Sequence, residues 1–233
     1  DDDQAMKYPG GKGKCYQHLI NLMPPHQTYI ESHLGGGAVM CNKKPAQRNI
    51  GLDLDPKVIE MWKQDLSNVC ELHQVDAVNY LENYTFHGNE LVYVDPPYLP
   101  ETRKRGKVYR CDYTEKDHIH LLQCLNDLPC KVMISGYENE LYNKLLPDWR
   151  KVHFSAKTHI EVREETVWMN FEHPNRLHDA RYIGKTFRER QNIQRRQSRL
   201  RSRIENLDPI ERNDLYKWMQ EHYGNDKEVA KCN

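Results

Sequence analysis

Residues Asp95-Pro96-Pro97-Tyr98 follow an apolar run, Leu91-Val92-Tyr93-Val94, with the composition of a buried strand. A carboxylate and a proline carbonyl at such a strand end can both accept hydrogen bonds from one amine. That pairing suits a flat base with an exocyclic amine, a poor nucleophile because its lone pair is delocalised into the ring. Two acceptors on its N–H bonds favour a tetrahedral nitrogen whose lone pair points at an electrophile. Pro96 and Pro97 fix the backbone so that both acceptors face the same way. Tyr98 supplies a ring on which the base can stack, worth about 1–3 kcal/mol. Asp95, Pro96, Pro97 and Tyr98 are therefore the candidate catalytic residues.

Upstream, Tyr29-Ile30-Glu31 reads as a strand running through Gly35-Gly36-Gly37 into a helix. Glycine serves where a backbone approaches a ligand closely or needs positive φ. Asp53 closes the next strand 18 residues after Gly35, the distance at which an acid accepts hydrogen bonds from ribose hydroxyls. Met40 stands where a dinucleotide fingerprint has its third glycine, which favours another adenosine cofactor over NAD. Gly10 to Lys14 fails as a phosphate loop. Its spacing puts Tyr8 at the first glycine, Cys15 follows the lysine, and no strand precedes it. What remains is a basic loop, Lys7 to Lys12, able to close over a ligand carboxylate.

The elements that position these residues alternate. Strands are expected at 29–31, 49–52, 91–94 and 131–134, and helices at 56–66, 114–127 and 138–146, the second capped by Thr114. Two successive strands, 149–156 and 160–170, make an antiparallel edge pair. The pattern predicts an α/β, Rossmann-like, mostly parallel sheet over residues 7–172, followed by a basic α-helical extension over 173–233.

The chain has 233 residues, 29% of them charged and 38% hydrophobic, with 34 Lys and Arg against 34 Asp and Glu. No run of about 18 apolar residues occurs, so no helical membrane span is expected. Fourteen tyrosines and four tryptophans exclude a wholly disordered chain. Seven cysteines, odd in number and without a C-x-x-C pair, fit neither a disulfide framework nor a zinc site and read as cytoplasmic thiols. His118 and His120 point apart on a helix, so no metal is expected. Asp1 to Ala5 are expected to be extraneous, with Met6 the natural start.

The zero net charge conceals a polarised chain. Residues 181–203 hold nine Lys and Arg against the single acid Glu189, and residues 99–111 hold Arg103, Lys104, Arg105, Lys107 and Arg110 against Glu101, which leaves −12 for the rest. On a helix over 179–207, Arg181, Lys185, Arg188, Arg195, Arg199 and Arg203 share one side. Ile193, Leu200, Ile204 and Leu207 form a neighbouring stripe. A basic side with so few acids to pair points to a polyanionic partner. The apolar stripe packs either on its own core or on a second copy, as a homodimer.

From Lys7 to about Asn170 the chain resembles the amino-group DNA methyltransferases that use S-adenosylmethionine, most closely the small adenine-N6 enzymes whose cofactor loop precedes the catalytic motif. The resemblance rests on Tyr8-Pro9-Gly10-Gly11-Lys12, Glu31 to Gly37, Gly51-Leu52-Asp53, Asp76, Asp95-Pro96-Pro97-Tyr98 and Ser135-Gly136-Tyr137. It implies that Tyr8 and Lys12 flank the methionine part of the cofactor and that Glu31, Gly35 and Gly37 shape its pocket. It places Asp53 on the ribose and Asp76 beside the adenine amine. The implied activity is direct methyl transfer to N6 of a flipped-out adenine in DNA, by a cytoplasmic enzyme of bacterial or phage type, within a restriction-modification system or as an orphan methylase. Larger relatives insert a sequence-reading domain ahead of the catalytic motif, but only 18 residues separate Asp76 from Asp95. Recognition is then expected from the basic segments. Arg103 to Arg110 would hold phosphates at the catalytic mouth, while Lys185, Arg188, Arg195, Arg199 and Arg203 would clamp more distant backbone.

Four other readings compete. Cytosine-C5 chemistry would need a cysteine after a proline; Pro129-Cys130 offers the pair, but it precedes a strand and reads as a buried thiol. Cytosine-N4 enzymes usually carry Ser where Asp95 stands. RNA adenine methylation shares the tetrapeptide. A non-catalytic polyanion-binding module would have no use for Asp95, Tyr98 and the glycine loop together.

Overall fold

The computed structural model describes residues 15–99, 113–157 and 162–224. Five strands run parallel: β1 (Thr28–Glu31), β2 (Arg48–Asp53), β3 (Glu71–Gln74), β4 (Glu90–Val94) and β5 (Lys131–Gly136). They join β6 (Arg150–Lys157) and β7 (Val162–Met169) in one sheet of order β3-β2-β1-β4-β5-β7-β6. Only β7 opposes its neighbours, and β6 and β7 are the expected edge pair. The expected α/β, Rossmann-like architecture is the one observed. Strand order reverses between β1 and β4, so a crevice opens at their C-terminal ends.

Alternation along each strand feeds two cores. Ile30, Val92, Val94, Val132 and Ile134 face α4 (Ala77–Asn83), α5 (Glu115–Asn126) and α6 (Glu140–Leu145). Tyr29, Leu91, Tyr93 and Met133 face α1 (Tyr16–Ile20) and α2 (Ala38–Asn42). Covered on both sides, the central strands carry continuous apolar stretches, such as Leu91–Val94 and Val132–Ile134, instead of alternating. Each helix start has a local cause. Asp55 accepts from the Lys57 N–H and Pro56 opens α3 (Pro56–Asp65). Thr114 and Asp117 form a reciprocal capping box on α5. Asp76 and Asn139 cap α4 and α6. Short α1, polar β3 and α4 were not expected from sequence.

The basic extension departs from expectation. Its first helix, α7 (Phe187–Glu205), begins eight residues after Asp179. Gly184 has φ +126°, a conformation no L-residue adopts readily, and Thr186 caps the helix by accepting from the Glu189 N–H. The Glu189 carboxylate reaches back to the Lys185 N–H. Arg181 and Lys185 therefore lie off the helix and not on its basic stripe. Residues 178–182 instead pack across the starts of β1 and β2. The His178 N–H donates to the Met23 carbonyl, the Lys44 N–H to Asp179 and the Asn21 amide to the Tyr182 carbonyl. Neither α7 nor α8 (Pro209–Tyr223) buries a residue. Ile193, Ile204 and Leu207 are half-buried and Leu200 is exposed, so their own core does not cover that stripe. No helix among the described residues is long and apolar enough to cross a membrane.

Candidate active site

Register brings the predicted residues to one edge. Glu31 pairs with Gly51 on β2 and Tyr93 on β4, and Val94 pairs with Ile134 on β5. Glu31, Asp53, Asp95 and Ser135 therefore stand together at the C-terminal ends of adjacent strands.

The glycine loop is held from below. Asp53 accepts the Gly35 N–H on one oxygen and the Asp55 N–H on the other, both at 2.9 Å. Burial raises the Asp53 carboxyl above its ordinary value against the pull of these two bonds. Each carboxylate oxygen has a second lone pair. Trp62, fully buried on α3, donates its ring N–H to the Gly35 carbonyl at 2.8 Å. Gly37 has φ +66°, and a Cβ there would fall inside the Trp62 ring. Conformation and packing each require glycine here.

Glu31 is buried beneath the loop. One oxygen accepts from the Tyr29 hydroxyl at 2.9 Å, and the other has no hydrogen-bond partner among the described residues. Burial pushes its pKa up to about 8; the Asp95 charge adds to the rise, while Tyr29 and Lys43 oppose it. Lys43, also buried, stands 4.3 Å above the Tyr29 ring. Burial brings it down to about 7 against the attraction of Glu31 and Asp179.

The catalytic tetrapeptide has its own supports. Ser135 donates from Oγ to Asp95 Oδ1 at 3.2 Å, and Tyr93 and Ser135 share a hydroxyl contact of 2.9 Å. Because Ser135 spends its proton on Asp95, Tyr93 must donate to Ser135. Tyr98 donates to Glu165 on β7 at 2.9 Å and stacks on Tyr137, centroids 4.2 Å apart and planes 17° apart. Two rings so close leave no gap for a third. The cavity beside them, lined by Pro96, Tyr98, Ser135 and Tyr142 among others, is only about 10 Å³. Asp76, exposed, caps α4 by accepting from the Asn79 N–H just after Val75, whose N–H donates to the Asp53 carbonyl.

Sequence reasoning missed Tyr93, Glu165, Lys43 and Trp62, and gave Ser135 and Tyr137 no role. Tyr93 alternates with Asp95 along one strand, a signal that could have found it; Glu165 and Trp62 come from distant segments with no local signal. Tyr8, Lys12, Arg103, Lys104, Arg105, Lys107 and Arg110 lie outside the described residues. Lys185, Arg188, Arg195, Arg199 and Arg203 are not at this edge. Cys130 is buried in the core. His118 is buried against the Tyr142 hydroxyl, and exposed His120 lies beside Glu82.

Among solved structures, the chain is similar to Thermoplasma acidophilum 1320, at 12% identity and TM-score 0.46, covering 72% of this chain and 93% of that one. An rRNA methylase from Streptococcus thermophilus gives 12%, 0.46, 66% and 93%. A Streptococcus mutans protein in complex with SAH gives 11%, 0.44, 66% and 93%. No curated protein matches the chain. The family described as D12 class N6 adenine-specific DNA methyltransferase matches residues 8–86 and 73–167. The two matches meet in the stretch just before the catalytic motif and together span well over half of the sequence. The chain belongs to the D12 class of N6 adenine-specific DNA methyltransferases.

Proposed function

We propose that the protein transfers a methyl group from S-adenosylmethionine to N6 of a flipped-out adenine in DNA. The reading rests on the Asp95 carboxylate, held by Ser135 at the switch point between β1 and β4.

The residues fit the cofactor. Among the described residues one buried Glu31 oxygen has no hydrogen-bond partner, and its carboxyl lies close enough to Asp95 to feel its charge. A ligand that brings positive charge and N–H donors would relieve both. Asp53, with lone pairs remaining, suits the ribose hydroxyls, and Asp76 stands next along the same rim. When bound, the cofactor supplies a methyl group already activated on a sulfonium sulfur, so neither a metal nor a strong base is required.

The protein's own residues orient the acceptor. Asp95 and the Pro96 carbonyl take the two N–H bonds of the amine, which localises the nitrogen lone pair for in-line attack. Forming the new N–C bond breaks the methyl–sulfur bond, whose electron pair stays on sulfur, and the nitrogen's surplus proton passes along its hydrogen bond to the Asp95 carboxylate and on to solvent. Tyr98, anchored through its hydroxyl, offers its ring face to the base. Tyr137 covers one face of that ring, so the base takes the other face or displaces Tyr137. A base within a duplex cannot reach such a pocket and must be extruded.

The test is transfer from labelled cofactor to matched DNA and RNA oligonucleotides, with N6-methyladenine read by mass spectrometry. Wild type should label DNA adenine, while Asp95→Ala should lose transfer yet still bind cofactor. Label on RNA alone, label on cytosine, or an active Asp95→Ala would overturn the proposal.

A further inference from the structure

The expected basic stripe and the catalytic edge are far apart in the fold. Residues 178–182, which lead into α7, lie at the starts of β1 and β2, whereas Asp95, Glu31 and Asp53 lie at the strand ends. Asn49 and Asp53 sit four residues apart on β2, about 13 Å, with Asn49 at the α7 side and Asp53 at the cofactor side.

Between the loop after α2 and the inner side of α7 runs an open groove of about 1340 Å³, whose lining includes Lys44, Asn49, Arg181, Gln194, Gln197 and Arg201. Cationic and amide side chains line it among apolar ones such as Met40, Val69 and Leu177. Asp179 is the only acid in its lining. That carboxyl is buried and saturated by the Arg181 guanidinium and N–H and by the Lys44 N–H. Although burial opposes it, these donors hold the carboxyl down at about 2, so it is ionised near neutrality and its charge is matched by Arg181. Lys44 and Arg201 are exposed, and among the described residues neither has an ion pair. The amides of Gln194, Gln197 and Asn49 add hydrogen-bonding capacity beside them. Small-molecule sites are usually smaller. A broad, amide-rich, cationic trough fits an extended chain of phosphates and sugars, which such side chains hold without reading sequence.

The remainder of α7 agrees. It carries seven arginines against Glu189 and Glu205. Among the described residues, none of Arg188, Arg195, Arg196, Arg199, Arg201 and Arg203 has an acid partner. At helical spacing Arg201 falls on the opposite side of α7 from Arg188, Arg195 and Arg199. The helix therefore presents cations both into the groove and outward.

We infer that this groove is a second nucleic-acid backbone site, at the opposite end of α2 from the glycine loop, so that a long substrate is held at two places. The inference rests on the substrate being a nucleic acid and adds where, beyond the target base, it is gripped.

The test uses the full chain and two labelled duplexes carrying the same target, one of roughly one helical turn and one of roughly four. Binding is followed by anisotropy across a salt series, together with methyl transfer to the short duplex. Lys44→Glu with Arg201→Glu should weaken long-duplex binding roughly tenfold and lower its salt slope by about 2. Short-duplex affinity and methyl transfer should not change. Lys44→Gln with Arg201→Gln should show the same pattern at smaller size, which separates lost attraction from added repulsion. An unchanged long-duplex slope would overturn the inference, as would equal losses on both duplexes. Failure of the catalytic reading would look different: no methyl transfer by any protein, wild type included, whatever the slopes.

Discussion

Removing the Ser135 hydroxyl isolates the part of the site that fixes Asp95. In Ser135→Ala the carboxylate loses a donor at 3.2 Å, and Tyr93 loses the acceptor at 2.9 Å through which it acts. Hydrogen bonds to a charged group contribute about 1.5–3 kcal/mol. This one is longer than the roughly 2.7–2.9 Å of strong charge-assisted bonds, so the lower end applies. If Asp95 must be aligned only while the amine is gripped, about 1.5 kcal/mol appears as a roughly tenfold fall in kcat. Single-turnover transfer with saturating DNA and labelled cofactor measures it, and titration calorimetry checks that cofactor affinity is kept. Tyr93→Phe should cost less, because it weakens Ser135 without removing the bond to Asp95. The double variant should be no slower than Ser135→Ala, since Tyr93 acts through Ser135. An unchanged kcat in Ser135→Ala, or additive losses in the double variant, would refute the relay.

Other consequences are equally direct. Glu165→Leu removes the acceptor of the Tyr98 hydroxyl and should lower kcat/KM for DNA about fivefold, for a bond worth about 1 kcal/mol, with cofactor affinity intact by calorimetry. Gly37→Ala combines a left-handed residue with overlap on Trp62 and should cost about 2–5 kcal/mol in urea unfolding. Because Glu31 titrates near 8 when folded and near its ordinary 4.5 when unfolded, the ligand-free fold holds the extra proton between those values. Its contribution to stability therefore falls as pH rises across that window. Glu31→Gln should remove that part of the decline, seen as a Tm difference from wild type that grows from pH 5 to pH 8.5. Lys43, which titrates near 7 instead of 10.5, contributes with the opposite sign above neutrality.

The sheet was legible because its central strands are buried on both sides and so spell continuous apolar runs, as in 91–94 and 131–134. Polar β3, Glu-Leu-His-Gln at the sheet edge, carries no such pattern and was invisible. Helices with their own caps, such as α5 behind Thr114, could be read to within a residue. The start of α7 could not, because it depends on the φ of Gly184 and on Asp179 pairing with Arg181 at the core surface instead of continuing a helix. The catalytic string declares itself because its chemistry is contiguous. Its supports do not, since Ser135 and Glu165 arrive from β5 and β7, and only strand order places them beside Asp95 and Tyr98. Trp62 is the extreme case: nothing around it announces that it shapes a loop more than twenty residues earlier.

The paired rings of Tyr98 and Tyr137 bear on what the enzyme refuses as well as on what it accepts. An activated methyl group is at risk from any nucleophile that reaches it, water foremost. Two tyrosines in face-to-face contact leave no room between them for a small molecule. Neither water nor a stray alcohol can compensate for breaking an aromatic stack, whereas a planar base can. On the proposed reading, the stack is a filter for aromatic shape, yielding to a planar base and to no smaller molecule.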